Sequence, residues 1–280
     1  MSAAVASSSS YRLTFGGLLK AEWIKLWSLR STYWCLAIMF VLWVGIALLV
    51  STLHGPNKVV EAPQAVQQSL AAQVATAGTT FGELIVAVLG VLVISGEYGT
   101  GMIRSTLTAD PRRLPTLFAK GIVLAVTVFI AGLVSIVAAA AVGFPLLAGQ
   151  KVYPELSDGK LDLALLGDAT YLAIIALIAF SLGAIIRATA GGIAAALGLI
   201  LVVPIVLGIL VQLTQAQWAE NISGFAPTNA GAHLYRYVVG TVTNAPGAVN
   251  LDATTGPLVF VAWLVLFFVI AAVLLKRRDA

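Results

Sequence analysis

Charge is what this chain has least of. Lysine, arginine, aspartate and glutamate make up 10% of its 280 residues, against roughly 25% in a soluble globular domain. A water-soluble fold of this length needs surface charge that the chain does not hold. Cys35 is the only cysteine, which excludes a disulfide-stapled secreted domain. His54 and His233 are the only histidines. They are too few for a zinc site without help, and neither falls in an expected helix, where haem chemistry would want one. No Gly-x-x-x-x-Gly-Lys-Ser/Thr loop and no His-Glu-x-x-His pair occur. The chain is therefore not read as an enzyme, with no catalytic residues, no metal and no cofactor of its own.

What is present is apolar: 60% of the residues are hydrophobic, which excludes disorder for the bulk. The runs 31–57, 121–150, 169–186, 188–218 and 256–275 carry no charge. Each supplies the ~20 residues a helix needs to cross a bilayer. The run 81–96 is apolar except for Glu83 and is read as a further span, with a re-entrant loop as the alternative; Gly90 does not forbid spanning. The expectation is an all-α polytopic membrane protein. Its six transmembrane helices fall at about 32–52, 79–96, 121–143, 169–186, 191–213 and 257–275, after a disordered cytoplasmic tail over 1–13 and within a single domain over 14–280.

An even number of crossings puts both termini on one side. That side holds Arg12, Lys20, Lys25, Arg30, Arg104, Arg112, Arg113, Lys120, Arg187, Lys276, Arg277 and Arg278; the other holds Lys58, Lys151, Lys160 and Arg236. The excess marks the cytoplasm, so N- and C-termini are expected inside a cell membrane. The basic residues flank helices, which does not suggest nucleic-acid binding. Residues 1–10 contain no lysine or arginine and do not read as a secretory signal.

Between 15 and 30, Leu19, Trp23, Leu26, Trp27 and Arg30 recur at helical spacing. Lys25 faces away from them, and Lys20 and Glu22 lie at the edges. This reads as an amphipathic interfacial helix, with Trp23 and Trp27 at headgroup depth and Lys25 reaching membrane lipids. A cytoplasmic extension of the first span, bent at Ser31-Thr32, is the alternative.

The segment 97–120 is the most patterned. Gly99 and Gly101 allow a tight reversal. Residues 102–109 can make about two helical turns with Met102, Ile103, Thr106 and Leu107 on one side, ended by Pro111. Arg112, Arg113 and Lys120 follow. Such a helix either docks on a partner protein or only enforces topology and touches lipid phosphates.

The run Glu97-Tyr98-Gly99-Thr100-Gly101, Ile103-Arg104, Thr106-Leu107, Pro111-Arg112-Arg113 and Lys120 resembles permease subunits of the ABC-2 type. The stretch from Lys20 to Ser31 is similar to that family's entry helix, and Ala226-Pro227-Thr228-Asn229-Ala230-Gly231 looks like a motif of actinobacterial members. The resemblance implies a type V exporter-like transmembrane domain in a bacterial cell membrane. It implies efflux of an amphiphilic small molecule, drug-like compound or lipid, driven by ABC ATPase subunits in two copies that bind ATP and Mg. It also implies a homodimer or heterodimer of permeases. Carried over, the ATPase-coupling residues are Glu97, Ile103, Arg104, Thr106, Leu107, Arg112 and Arg113, and Glu97 would pair with Arg104 or Arg113. Short re-entrant helices are implied within 214–256.

Buried ionisable residues are expected to be nearly absent, Glu83 alone coming close, which argues for an external energy source. Glu83, Asn229, His233 and Arg236 form a candidate outer-gate region, with Glu83 reaching water or Arg236. Pro204 is expected to bend the fifth span, and Gly191, Gly192 and Gly198 to permit close packing there. An autonomous secondary carrier or channel, or a non-transporting anchor or sensor subunit, are the competing readings.

Overall fold

The computed structural model describes residues 14–53, 63–102, 113–155, 157–239, 249 and 251–277. Thr14 opens the first helix, α1 (Phe15–Ser28), by accepting a 3.2 Å hydrogen bond from the Gly17 amide on its hydroxyl. Leu29 is extended (φ −82°, ψ 124°) and separates α1 from α2 (Arg30–Leu53). The elbow thus lies at Leu29 rather than at Ser31-Thr32. Thr32 secures it by donating its hydroxyl to the Leu26 carbonyl at 2.8 Å.

A short helix, α3 (Gln64–Ala75), leads through a turn into α4 (Thr79–Gly99). Its Ala75 carbonyl accepts the buried Trp43 indole N–H at 2.8 Å, which ties it to α2. α5 (Arg113–Gly149) has 37 residues, a length of roughly 55 Å at the α-helical rise. It begins eight residues before the expected span, because Pro115 is tolerated in a first turn and Thr116 and Leu117 already face the core. α6 (Gly159–Ile186) begins ten residues before its expected start, capped by Asp158 through the Lys160 amide at 3.0 Å.

The fifth hydrophobic segment is broken. α7 (Thr189–Leu197) runs into a π-helical turn, Gly198–Val202, and then α8 (Val203–Thr214). Pro204 lacks an N–H and would crowd the preceding turn; the wider π turn accommodates it. Two short helices follow, α9 (Gln217–Gly224) and α10 (Pro227–Ala232), and then α11 (Thr255–Arg277).

Six helical segments among the described residues are long and apolar enough to cross a membrane. α4 and α6 form the centre of the bundle. Gly90 lets them meet: a methyl group there would strike the Ala176 carbonyl of α6. Around this pair, Val86, Leu89, Leu172, Ile175 and Phe180 are fully covered. In contrast, α8 has no buried residue.

Candidate functional site

At one end of the bundle lie α1, the C-terminal ends of α4, α6 and α11, and the start of α5. It carries Lys25, Arg113, Lys120, Arg187, Lys276 and Arg277 and is called the basic end below. Four charges meet inside it. Glu22 points from α1, Glu97 from the last turn of α4 and Lys120 from the third turn of α5, each only 4% exposed. Lys120 Nζ donates to Glu22 Oε2 at 2.5 Å and to Glu97 Oε1 at 2.7 Å. Lys25, one turn after Glu22, reaches Glu22 Oε1 at 3.1 Å and Glu97 Oε1 at 3.4 Å.

The charge count explains the arrangement. Glu97 sits at the negative end of the α4 dipole, where a carboxylate is disfavoured. Burial in apolar surroundings adds to that cost. Two ammonium groups balance two carboxylates and make the cluster tolerable. Burial pulls the Lys25 ammonium down, but Glu22 and Glu97 outweigh it and the net direction is upward.

The cluster therefore locks α1 to α4 and α5 directly beneath the point where α4 enters the segment 103–112. Glu97 was expected to pair with Arg104 or Arg113. It pairs with Lys120 and Lys25 instead, because the early start of α5 turns Lys120 toward it. Arg113 donates from Nη1 to the Leu275 carbonyl at 3.0 Å and so holds the end of α11. Arg187, a left-handed C-cap of α6 with φ 60°, lies 5.1 Å from the Tyr98 ring centroid. Five elements are tied together within this end.

Ile103, Arg104, Thr106, Leu107 and Arg112 lie outside the described residues. Trp23 and Trp27 stack obliquely at 5.8 Å and line a groove against α2 and α5 with Leu36, Phe40 and Ile130. Lys25 was expected to reach headgroups; its ammonium faces the two carboxylates instead.

The opposite end holds carboxylates of another kind. Asp168, one residue before the expected span 169–186, is fully buried on α6. It accepts the Thr79 hydroxyl on Oδ2 at 2.8 Å, and its Oδ1 has no hydrogen-bond partner among the described residues. Glu83 accepts the hydroxyl of Tyr171, whose ring packs on Tyr235 and Phe260. Arg236, the expected partner of Glu83, is exposed. The expectation that ionisable side chains are scarce in the interior is thus corrected: Glu22, Glu97, Lys120 and Asp168 are all buried. They face helix neighbours that supply ion pairs or hydroxyls.

Of the remaining outer-gate candidates, Asn229 donates to the Ser223 carbonyl at 2.8 Å and to its hydroxyl at 3.1 Å. His233 packs beside Gly256. Burial and then Arg236 push its imidazole down, against Asp252. The structure joins Glu83 to the neighbourhood of α10 through the Tyr171 and Tyr235 rings, and Arg236 acts electrostatically on His233, while Asn229 bonds to Ser223.

Residues 17–280 match a family described as ABC-2 family transporter protein. The chain belongs to the ABC-2 transporter family. No curated protein matches it significantly. The matched range of this ABC-2 protein begins within α1 and takes in every member of the charge cluster. Sequence reasoning placed Glu22 at a helix edge and counted Lys120 only among the basic residues that flank the spans. One signal was available: Glu22 is the sole acidic residue among the first 60, set in an otherwise apolar and basic helix. For Asp168 the signal was its place between Leu161, Ala164 and Leu165 and Tyr171, Leu172 and Ile175, at helical spacing.

Proposed function

We propose that this ABC-2 chain is the membrane-spanning permease subunit of an ATP-driven exporter whose ATPase is encoded separately. The observation that carries this reading is the basic-end cluster: Glu97 and Lys120 tie α1, α4 and α5 together at the root of the segment 103–112. In this reading that segment docks on the ATPase, the basic end faces the cytoplasm of a bacterial cell, and α1 lies along the inner leaflet. Two permease copies assemble with two ATPase copies, and the nearly uncovered α8 supports a contact with a second permease. The short helices α9 and α10 cap the pathway on the outside, in a type V exporter-like arrangement.

The mechanism needs no covalent step. Closure of the ATP-loaded partner displaces segment 103–112. The cluster passes that displacement to α1 and α5 as one body, because separating its members would strand a buried charge. The bundles rock, and an amphiphile leaves outward. Membership in a transporter family supports the transport part of this reading.

The test is a mild-detergent pull-down from native membranes, with co-purifying chains identified by mass and assayed for ATP hydrolysis. The reading predicts a Walker-loop ATPase at near equal stoichiometry, lost from a folded variant carrying R104A and L107A. Recovery of this chain alone, under conditions that preserve other complexes, would overturn it. One observation favours a second reading, an autonomous carrier: Asp168 lies fully buried in a span, as ion-coupled carriers require. Flux through the purified chain alone, abolished by D168N, would establish that reading instead.

A further inference from the structure

A cavity of about 350 Å³ opens beside the charge cluster, between α1, α4, α5 and the Leu29 elbow. Its size falls within the range of small-molecule sites, roughly 300–1,000 Å³. Leu26, Leu92, Val93, Val123 and Leu124 make its apolar wall, and Glu22, Lys25, Glu97 and Lys120 its charged floor. The polar groups that face it are not equivalent. Lys120 is engaged by both carboxylates, and Lys25 bridges the same pair. The Ser28 hydroxyl donates to the Lys25 carbonyl at 2.7 Å and the Thr100 hydroxyl to the Gly96 carbonyl at 2.9 Å. Glu97 is 4% exposed, and its Oε2 accepts no hydrogen bond from any described residue. The wall thus offers a buried acceptor; its ammonium groups and the Ser28 and Thr100 hydroxyls are already engaged, and the Ser31 hydroxyl also lines it.

This asymmetry selects a chemistry. An anion would meet two carboxylates. A cation would meet Lys120 and Lys25, which already balance them. A purely apolar molecule would leave the buried Glu97 oxygen unsatisfied, a costly outcome. We infer that this cavity binds an uncharged amphiphile that donates one hydroxyl or amide hydrogen to Glu97 Oε2, its apolar body lying along Leu92, Val93, Val123 and Leu124. That such a molecule is cargo rests on the transport reading; that it binds does not. Because the site shares Glu97 with the cluster that joins α1 to α4, occupancy is felt where the segment 103–112 begins.

The full chain in phosphatidylcholine nanodiscs is photolabelled with hexadecanol carrying a mid-chain diazirine. Its methyl ether and the corresponding hexadecylamine serve as comparisons. Adducts are mapped by mass spectrometry. The alcohol is expected to label the 92–93 and 123–124 stretches at least tenfold more than the ether or the amine. G96F is expected to abolish that labelling, since Gly96 lines the cavity and a Cβ built there meets no atom within 4 Å. E97Q, if folded, is expected to reduce the alcohol's preference over the ether. A second arm adds phosphatidylglycerol, whose headgroup also carries hydroxyls. Competition with the alcohol identifies a lipid as occupant, and its absence a free solute; either upholds the site. Equal labelling by alcohol, ether and amine, or labelling untouched by G96F, overturns the inference. Such a result leaves the ATPase pull-down unaffected, just as loss of the ATPase partner with selective alcohol labelling would defeat only the transport reading.

Discussion

The two ends of the bundle bury carboxylates by opposite means. At the basic end, Glu22 and Glu97 are met by Lys120 and Lys25 at 2.5 to 3.4 Å. At the far end, Asp168 and Glu83 are met by the hydroxyls of Thr79 and Tyr171. An ion cluster fixes the relative position of the helices that supply it, since removing one partner strands the others. A hydroxyl contact orients a side chain at a smaller cost and lets its helix move. The comparison assigns rigidity to the end that enters the segment 103–112, and adjustability to the end where α4, α6 and α10 converge.

The largest test of that contrast is K120M. Among the described residues it leaves buried Glu22 and Glu97 with Lys25 as their one ion-pair partner, and should cost about 3–5 kcal/mol, read as a lowered unfolding midpoint in detergent. A midpoint equal to wild type would break the claim that Lys120 holds the basic end together. Y171F at the far end removes the donor to Glu83 and should cost about 1–3 kcal/mol in the same assay. D168N sharpens the contrast further. The amide oxygen keeps the Thr79 hydrogen bond while the charge disappears, so stability should stay within about 1 kcal/mol of wild type or rise. A loss as large as that of K120M would show that the far end, too, relies on an ionic partner.

The smallest effect lies outside the spans. Tyr237 donates its hydroxyl to Asp158 at 2.6 Å, which pushes the phenol up to about 12. The same bond, followed by the Lys160 amide, holds the Asp158 carboxyl below its ordinary value. The depressed carboxyl contributes above its unfolded pKa of about 3.9, and that contribution is lost as pH falls through its folded value. The raised phenol contributes fully below about 10 and loses that contribution as pH climbs through about 12. In an ultraviolet titration, wild type minus Y237F should show one phenolate transition near 12; a transition near 10 would mean the contact does not form in solution.

The sequence disclosed the apolar spans well, because six stretches near bilayer length with few charges have few other uses. It placed a helix over 15–30, where α1 forms. It misjudged the starts of α5 and α6 for one reason. A search for uncharged runs stops at Lys120 and Asp168, whereas the fold carries both inside by supplying Glu22, Glu97 and Thr79 from other helices. Such partners are 23 to 98 residues away along the chain, and no local pattern announces them. The π turn before Pro204 was legible only as an expected bend.

The central claim of the proposed function is that the basic-end cluster passes motion between the segment 103–112, proposed to dock on an ATPase, and α1. The direct measurement is ATP turnover by the partner ATPase in a reconstituted complex containing wild-type chain or the double variant E97Q and K120Q. That pair removes one charge of each sign and leaves Glu22 paired with Lys25. The account predicts that the variant still assembles with the ATPase but no longer alters its turnover. An assembled variant that changes turnover as wild type does would contradict it.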